Sequence, residues 1–401
     1  MNVLFLTLDR FLNINDREIS EDLMRKFNKE GHKVYVVCPR ERSFKMPTSL
    51  TEQGGVHILG VKTLNMQKSS IIEKGLGTLM IEGQFERAIK KYLGGVKFDL
   101  VLYTTPPITF TNVVKYVKRM NPGAKSYLLL KDIFPQNAVD IEMFSKNSPF
   151  WWYFRKKEVA LYKASDYIGC MSPANVQFVL KHNEFVDPAI VEVAPNSIEL
   201  AEQVQLPQEA KDEMRKKYNL PLDKPVFIYG GNLGKPQGIP FLIECLNANK
   251  DREDCHFLII GSGTEYGKLE EWYQMNNPKA VSLYQHLPKA DYDKLVQCCD
   301  LGLIFLDYRF TIPNFPSRLL SYLEYKMPVI CATDPNCDMG QIANENGFGM
   351  WAPSNNVEAF TDCVNSILQQ NIKAMGEKGY AYLKANYTVD NTYGAIVKHF
   401  E

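Results

Sequence analysis

Short apolar runs, each followed by a stretch with helical spacing, recur along this chain, and the pattern starts twice. The first start is Val3 to Leu8 and the second is Val226 to Tyr229. Runs this short and this apolar read as strands buried on both faces, and such strands alternate with helices in parallel, doubly wound sheets. The chain is therefore expected to be α/β, two βα-wound halves joined once. Length agrees: 401 residues with 45% hydrophobic content would strain one core but fill two.

In the first half, a helix is expected from about Ile19, capped by Ser20 and ended by Gly31, before a strand at Lys33 to Cys38. Further strands are expected at Asp99 to Tyr103, Ser126 to Leu130, Asp166 to Cys170 and Val191 to Val193. Lys131 and Asp132 leave the strand at Ser126 to Leu130 on its carboxyl edge, where α/β sheets place their chemistry. Asp132 reads either as a functional carboxylate or as an N-cap for the helix after Pro135. Residues 201 to 224, from Glu202, Gln203 and Gln205 to Lys216 and Lys217, read as a polar connecting segment.

The second half carries the glycines. Gly230-Gly231-Asn232-Leu233-Gly234-Lys235-Pro236-Gln237-Gly238 follows a strand and precedes the helix beginning at Ile239, the setting in which backbone amides approach a phosphate without interference from Cβ atoms. A plain strand-to-helix turn is the alternative. Gly261 and Gly263 end the strand at His256 to Ile260; His286 and Leu287 follow the strand at Ser282 to Tyr284 and could read a base edge and hold its face. The strand at Leu301 to Leu306 leads through a loop to Pro316-Ser317-Arg318, with Pro316 placed in a first helical turn. Leu319, Leu320 and Leu323 keep helical spacing, and Pro328 stops the helix before Val329. Amides of Ser317 and Arg318 beside a guanidinium make a candidate diphosphate seat; a crossover helix with a solvated Arg is the bland reading. Four consecutive strands thus end in loops suited to a nucleotide.

Charge narrows the partners. Lys+Arg and Asp+Glu are both 46, so no overall field draws the chain to nucleic acid, and anion binding must come from local patches. The nine cysteines show no CxxC pair or zinc spacing and are expected to be buried thiols in a reducing compartment. Met1 to Leu8 is too short, and too soon followed by Asp9 and Arg10, for a signal peptide. The expectation is a cytoplasmic protein without metal or cofactor. Phe150-Trp151-Trp152-Tyr153-Phe154-Arg155-Lys156-Lys157 reads either as a membrane-facing surface or as a core stripe. Arg10, Asn13 and Asp16 line an acceptor side or simply a solvated loop, and His32, His182 and His399 are expected at the surface.

The order of Gly230 to Gly234, Ile260-Gly261-Ser262-Gly263, and Pro316-Ser317-Arg318 leading to Met327-Pro328-Val329-Ile330 resembles the donor domain of the retaining glycosyltransferases of family 4, with the GT-B fold. Asp132 to Pro135, Ala164-Ser165-Asp166, Met171-Ser172 and Ala194 to Ser197 resemble that family's first domain. The resemblance is strongest to the bacterial subgroup that adds amino or deoxy sugars to lipid-linked saccharides of capsule or O-antigen. It implies an acceptor domain of residues 1–200 joined by a C-terminal helix at 386–401, and a donor domain of residues 201–385, facing across a cleft. It implies transfer from a nucleotide diphosphate sugar, UDP-sugar favoured, to a polyprenyl-diphosphate-linked saccharide, with retention, without metal, and with peripheral contact to the inner membrane.

Carried over residue by residue, the resemblance puts Gly230, Gly231, Asn232, Gly234 and Gln237 under the diphosphate, with Lys235 and Arg318 as its cations. Gly261, Gly263, His286, Leu287, Asn314, Ser317 and Ser321 would complete the donor site. The family's usual Arg and Lys are Asn232 and Gln237 here, its glutamate pair is Pro313 and Ser321, and Lys131 stands where many members have His. Lys131 and Asp132 would orient hydroxyl groups. With no histidine in a catalytic position, the leaving phosphate would take the acceptor proton. A non-hydrolysing sugar-nucleotide epimerase and a catalytically weakened nucleotide-sugar binder are the alternatives.

Overall fold

The computed structural model describes residues 1–65, 71–201 and 206–400. The chain divides into two compact units, Met1–Glu199 with Tyr387–Glu401, and Leu200–Asn386.

The first unit is built on strands β1 (Asn2–Leu6), β2 (Lys33–Glu41), β3 (Ser49–Gln53), β4 (Val56–Thr63), β5 (Leu100–Thr104), β6 (Lys125–Leu130), β7 (Tyr167–Cys170) and β8 (Val191–Val193). They lie in the order β3-β4-β2-β1-β5-β6-β7-β8, parallel apart from β3, which pairs antiparallel to β4. The hairpin of β3 and β4 is absent from the sequence reading because β3 is mostly exposed and polar, so no apolar run announces it. Val3, Phe5, Val34, Val36, Leu100, Leu102 and Leu129 share the core on one side of this sheet with Leu23, Met24 and Phe27 of the helix Ile19–Lys29.

Three expectations change here. Ser20 is not a cap: it lies inside the helix Ile19–Lys29, buried, and its hydroxyl donates to Asp9. His32 is half-buried between the Met1 amine at 3.1 Å and the Tyr393 hydroxyl at 2.8 Å. His399 stacks on Tyr167 at 3.7 Å and pairs with Glu192, so the helix Val389–Val397 and the residues after it are anchored onto the first sheet.

The second unit contains β9 (Val226–Asn232), β10 (His256–Ser262), β11 (Val281–Tyr284), β12 (Leu301–Phe305), β13 (Val329–Thr333) and β14 (Gly349–Pro353) in the order β11-β10-β9-β12-β13-β14, all parallel. β14 carries Met350 and Trp351 on an edge and was not expected. The order reverses between β9 and β12, which is where a doubly wound sheet opens a crevice beyond its carboxyl ends. The polar segment is in part a helix, Gln208–Lys217, because Arg215 inserts its guanidinium to bond Asp300 at 2.6 Å and the Cys298 carbonyl at 2.8 Å. Glu202, Gln203 and Gln205 lie outside the described residues. All nine cysteines are free, eight of them buried.

Candidate functional site

The candidate donor site is assembled where β9 and β12 part. β9 ends in Gly230, Gly231 and Asn232, and neither glycine tolerates a side chain. A Cβ on Gly230 would meet the Tyr292 hydroxyl at 2.1 Å; Gly231 has φ +139°, and a Cβ there would fall 3.4 Å from the Arg318 guanidinium. Arg318 opens the seven-residue helix Arg318–Glu324. Pro316 therefore lies just outside that helix rather than in its first turn. The guanidinium carbon of Arg318 sits 4.4 Å from the centre of the Tyr229 ring, a cation–π contact. Its Nη1 is buried without any hydrogen-bond partner.

The groups closest to this cation electrically are Tyr229, Tyr322 and Tyr292. Burial pushes the Tyr292 hydroxyl up to about 12, and burial likewise raises Tyr229 despite the opposing Arg318 charge, so both rings are neutral at physiological pH. Tyr322 accepts from the Gly230 amide at 3.2 Å and donates to the Ile228 carbonyl at 3.2 Å. The tyrosines wall the cation in and do not neutralise it. Arg318 is half-buried as a whole, but its Nη1 is fully covered; a positive charge held this way without a counter-charge is costly, and a site arranged this way favours an anion. None of the three tyrosines was singled out in the sequence, although Tyr322 stands four residues after Arg318 on the same helix, a spacing that puts both on one face; Tyr229 and Tyr292 come from other elements.

Other predicted donor residues take distinct places. Gln237 Oε1 accepts from the Gly234 amide at 3.2 Å and from Asn232 Nδ2 at 3.1 Å, while Tyr229 donates to the Asn232 carbonyl at 2.7 Å. These contacts shape the loop. Lys235 is exposed on its crest. Gly261 and Gly263 lie behind the loop: added Cβ atoms would strike the Gly231 carbonyl at 2.0 Å and the Leu233 carbonyl at 2.3 Å, so their smallness permits two strand ends to meet. His286 is exposed and Leu287 half-buried beyond β11. Asn314 accepts from Cys337 Sγ at 2.9 Å; Ser317 is exposed, and Ser321 is half-buried one turn beyond Arg318. Glu324 is buried and accepts from the Ala201 amide at 3.3 Å.

In the first unit, Lys131 and Asp132 leave β6. The Asp132 amide and carbonyl both bond the Thr105 hydroxyl, at 3.1 and 3.0 Å, and Asn137 Nδ2 donates to its Oδ1 at 3.2 Å. The helix Gln136–Asp140 has no side-chain cap, so Asp132 does not serve as one. Burial raises its pKa to about 6. Lys131 Nζ lies 3.5 Å from the Ser20 hydroxyl, and burial lowers its pKa against the pull of Asp9 and Glu21. Glu21 was missed: burial, then the neighbouring carboxylates, raises its pKa to about 7, and its Oε2 has no partner. Lys131 and Ser20 line a small cavity with Asn196 and Ser197, whose Oδ1 and Oγ are also unpartnered. Arg10 is exposed over the Phe44 ring at 4.8 Å. Asn13 and Asp16 hold a turn, with the Asp16 amide donating to the Asn13 carbonyl at 3.0 Å.

Comparison with known proteins bears on both units. Residues 210–382 match the family described as Glycosyl transferases group 1. The chain is 22% identical over 323 residues to a protein of Pseudomonas aeruginosa named as a probable glycosyltransferase, WbjE, covering 80% of this chain and 78% of that one. Over 178 residues it is 25% identical to WcaI of Escherichia coli (strain K12), named for colanic acid biosynthesis, covering 43% of each chain. The solved structure of HepE from Anabaena, in complex with UDP, superposes with a TM-score of 0.70 at 14% identity over 100% of this chain and 99% of that one. The chain is a glycosyltransferase with the GT-B fold, and its residues 210–382 are similar to the glycosyl transferases group 1 family.

Proposed function

We propose that the protein transfers a sugar, with retention of anomeric configuration, from a UDP-sugar to a polyprenyl-diphosphate-linked saccharide in the synthesis of a bacterial capsule, O-antigen or exopolysaccharide. The observation that carries the donor half is the uncompensated Arg318 guanidinium facing Gly231. A diphosphate supplies the missing acceptor atoms and charge. UDP in the HepE structure, on the same fold, supports uracil as the base. The names of WbjE and WcaI support polysaccharide assembly as the setting.

In this reading the C1–O bond to the diphosphate lengthens first, and Arg318 and Lys235 stabilise the charge that develops on the leaving oxygen. The acceptor hydroxyl attacks C1 from the same face and passes its proton to that oxygen. Asp132 and Lys131 orient hydroxyl groups. Asp132, with its raised pKa, would also accept a hydrogen bond readily once ionised. A lipid-anchored acceptor places the work at the cytoplasmic face of the plasma membrane. Among the described residues no helix is long and apolar enough to cross it, so contact would be peripheral.

Titration calorimetry with UDP, GDP and their hexose and N-acetylhexosamine derivatives tests the donor assignment. Selective binding of UDP and one UDP-sugar is expected. Silence across the whole panel would remove the reading.

A further inference from the structure

The helix Pro149–Ala164 begins where the β6 loop ends, and its first two turns have an unusual outer face. Among the described residues, the most exposed large apolar side chains are Met275 at 72%, Phe150 at 67%, Met143 at 63% and Trp152 at 60%. Three of these four fall between positions 143 and 152. At 3.6 residues per turn, Trp152, Lys156, Tyr153, Lys157 and Phe150 follow one another around roughly 160° of the helix. Aromatic and ammonium groups therefore alternate on one arc, with Lys157 Nζ 5.8 Å from the Tyr153 ring centre.

The helix has a single acid, and it faces inward. Glu158 is buried and accepts from Arg155 at 2.5 Å and from Tyr162 at 2.9 Å. That pairing takes Arg155 out of the count and leaves Lys156 and Lys157 on the arc, Lys163 farther along the helix over the Phe185 ring, and Lys146 and Glu142 in the preceding loop; none of the four lysines is in an ion pair among the described residues. Monomeric proteins seldom leave several large aromatics so open. Rings that insert at the depth of headgroups, interleaved with cations that meet anionic phosphates, fit the boundary of a negatively charged bilayer.

Position gives the surface a purpose. Phe154, on the inner side of the same two turns, packs on Phe134 with ring centres 4.9 Å apart, and Phe144 closes on both at 6.1 and 6.3 Å. Phe134 lies two residues after Asp132. We propose that the outer face of residues 150–157 docks on an anionic lipid bilayer and so sets the Lys131–Asp132 loop at headgroup level, where a lipid-linked diphosphate resides. This inference rests on the acceptor assignment above only for its purpose; the surface itself is tested separately.

The test is co-sedimentation of the full chain with phosphatidylcholine vesicles, with and without phosphatidylglycerol, as a function of salt. Wild type should bind the mixed vesicles far better than the neutral ones. Phe150→Ala/Trp152→Ala/Tyr153→Ala should lower partitioning by about tenfold or more. Lys156→Gln/Lys157→Gln should lower it by about fivefold per lysine and flatten the salt dependence. UDP affinity and melting temperature should stay at wild-type values in both variants, which shows that the fold is intact. Absence of binding by wild type, or an aromatic variant that binds like wild type, would overturn the proposal. So would a wild-type dimer that the aromatic variant converts to monomer, because the patch would then be covered by a second copy. Vesicle binding without UDP binding would leave this surface standing and remove the donor reading instead.

Discussion

Replacing Arg318 by methionine separates two roles that a buried guanidinium can have. As a phosphate ligand, it forms charge-assisted hydrogen bonds worth about 1.5–3 kcal/mol each, so the Arg318→Met protein should bind UDP roughly 10- to 150-fold more weakly. As a structural element, it contributes the contact with Tyr229, worth about 0.5–2 kcal/mol. Against that contact stands the unpartnered Nη1, whose burial costs about 1–3 kcal/mol in the ligand-free protein. Methionine keeps the stem's volume and removes both terms, so ligand-free stability should change by no more than about 1 kcal/mol, or rise. In a unit of this size that is a shift of about 2–4 °C in melting temperature. Calorimetric titration with UDP and differential scanning of the ligand-free protein measure the two quantities on one preparation. A variant that melts much lower yet binds UDP as wild type does would refute the reasoning, since Arg318 would then be holding the fold and not the anion.

Gly231→Ala places a Cβ at a positive φ and against Arg318, so strain of about 1–3 kcal/mol and weaker UDP binding are expected together in melting and titration experiments; an unstrained variant would show that the loop has other conformations. Lys235→Ala, at an exposed cation, should weaken UDP binding by less than Arg318→Met and mainly at low salt, which titrations at two ionic strengths would show. Glu21 retains its proton to about pH 7 in the fold but only to about pH 4.5 when free, so the native state loses stability as pH rises through that window. Glu21→Gln should therefore match wild type near pH 4 and exceed it by about 2–3 kcal/mol at pH 8; equal melting curves at both pH values would show that Glu21 is ionised and paired. Asp132→Asn should behave likewise over roughly pH 4 to 6, with a gain of about 1–2 kcal/mol above it, while lowering sugar transfer with the donor affinity unchanged.

How much the sequence determined follows from the range of the forces involved. Burial on both faces of a strand is a local demand, so strands such as β1, β5, β9 and β12 announce themselves as apolar runs, and the doubly wound class follows from their alternation with helices. The exposed hairpin strand β3 and the edge strand β14 lack that signature and stayed unseen. Gly230 and Arg318 were both legible as phosphate-loop residues, because a Cβ-free turn and a cation before a helix are local features.

Only the tertiary structure decided what encloses them. Tyr322 is one turn from Arg318 on the same helix, but Tyr229 and Tyr292 reach it from β9 and from the helix Lys289–Val296, and that meeting, with no carboxylate among the nearest charged or titratable neighbours, arises from packing, which no spacing rule encodes. The same holds for Glu21. At the start of a helix it reads as a favourable first-turn acid, yet the fold turns it inward beside Asp9 and Lys131, where desolvation outweighs the helix dipole and keeps its proton near neutrality.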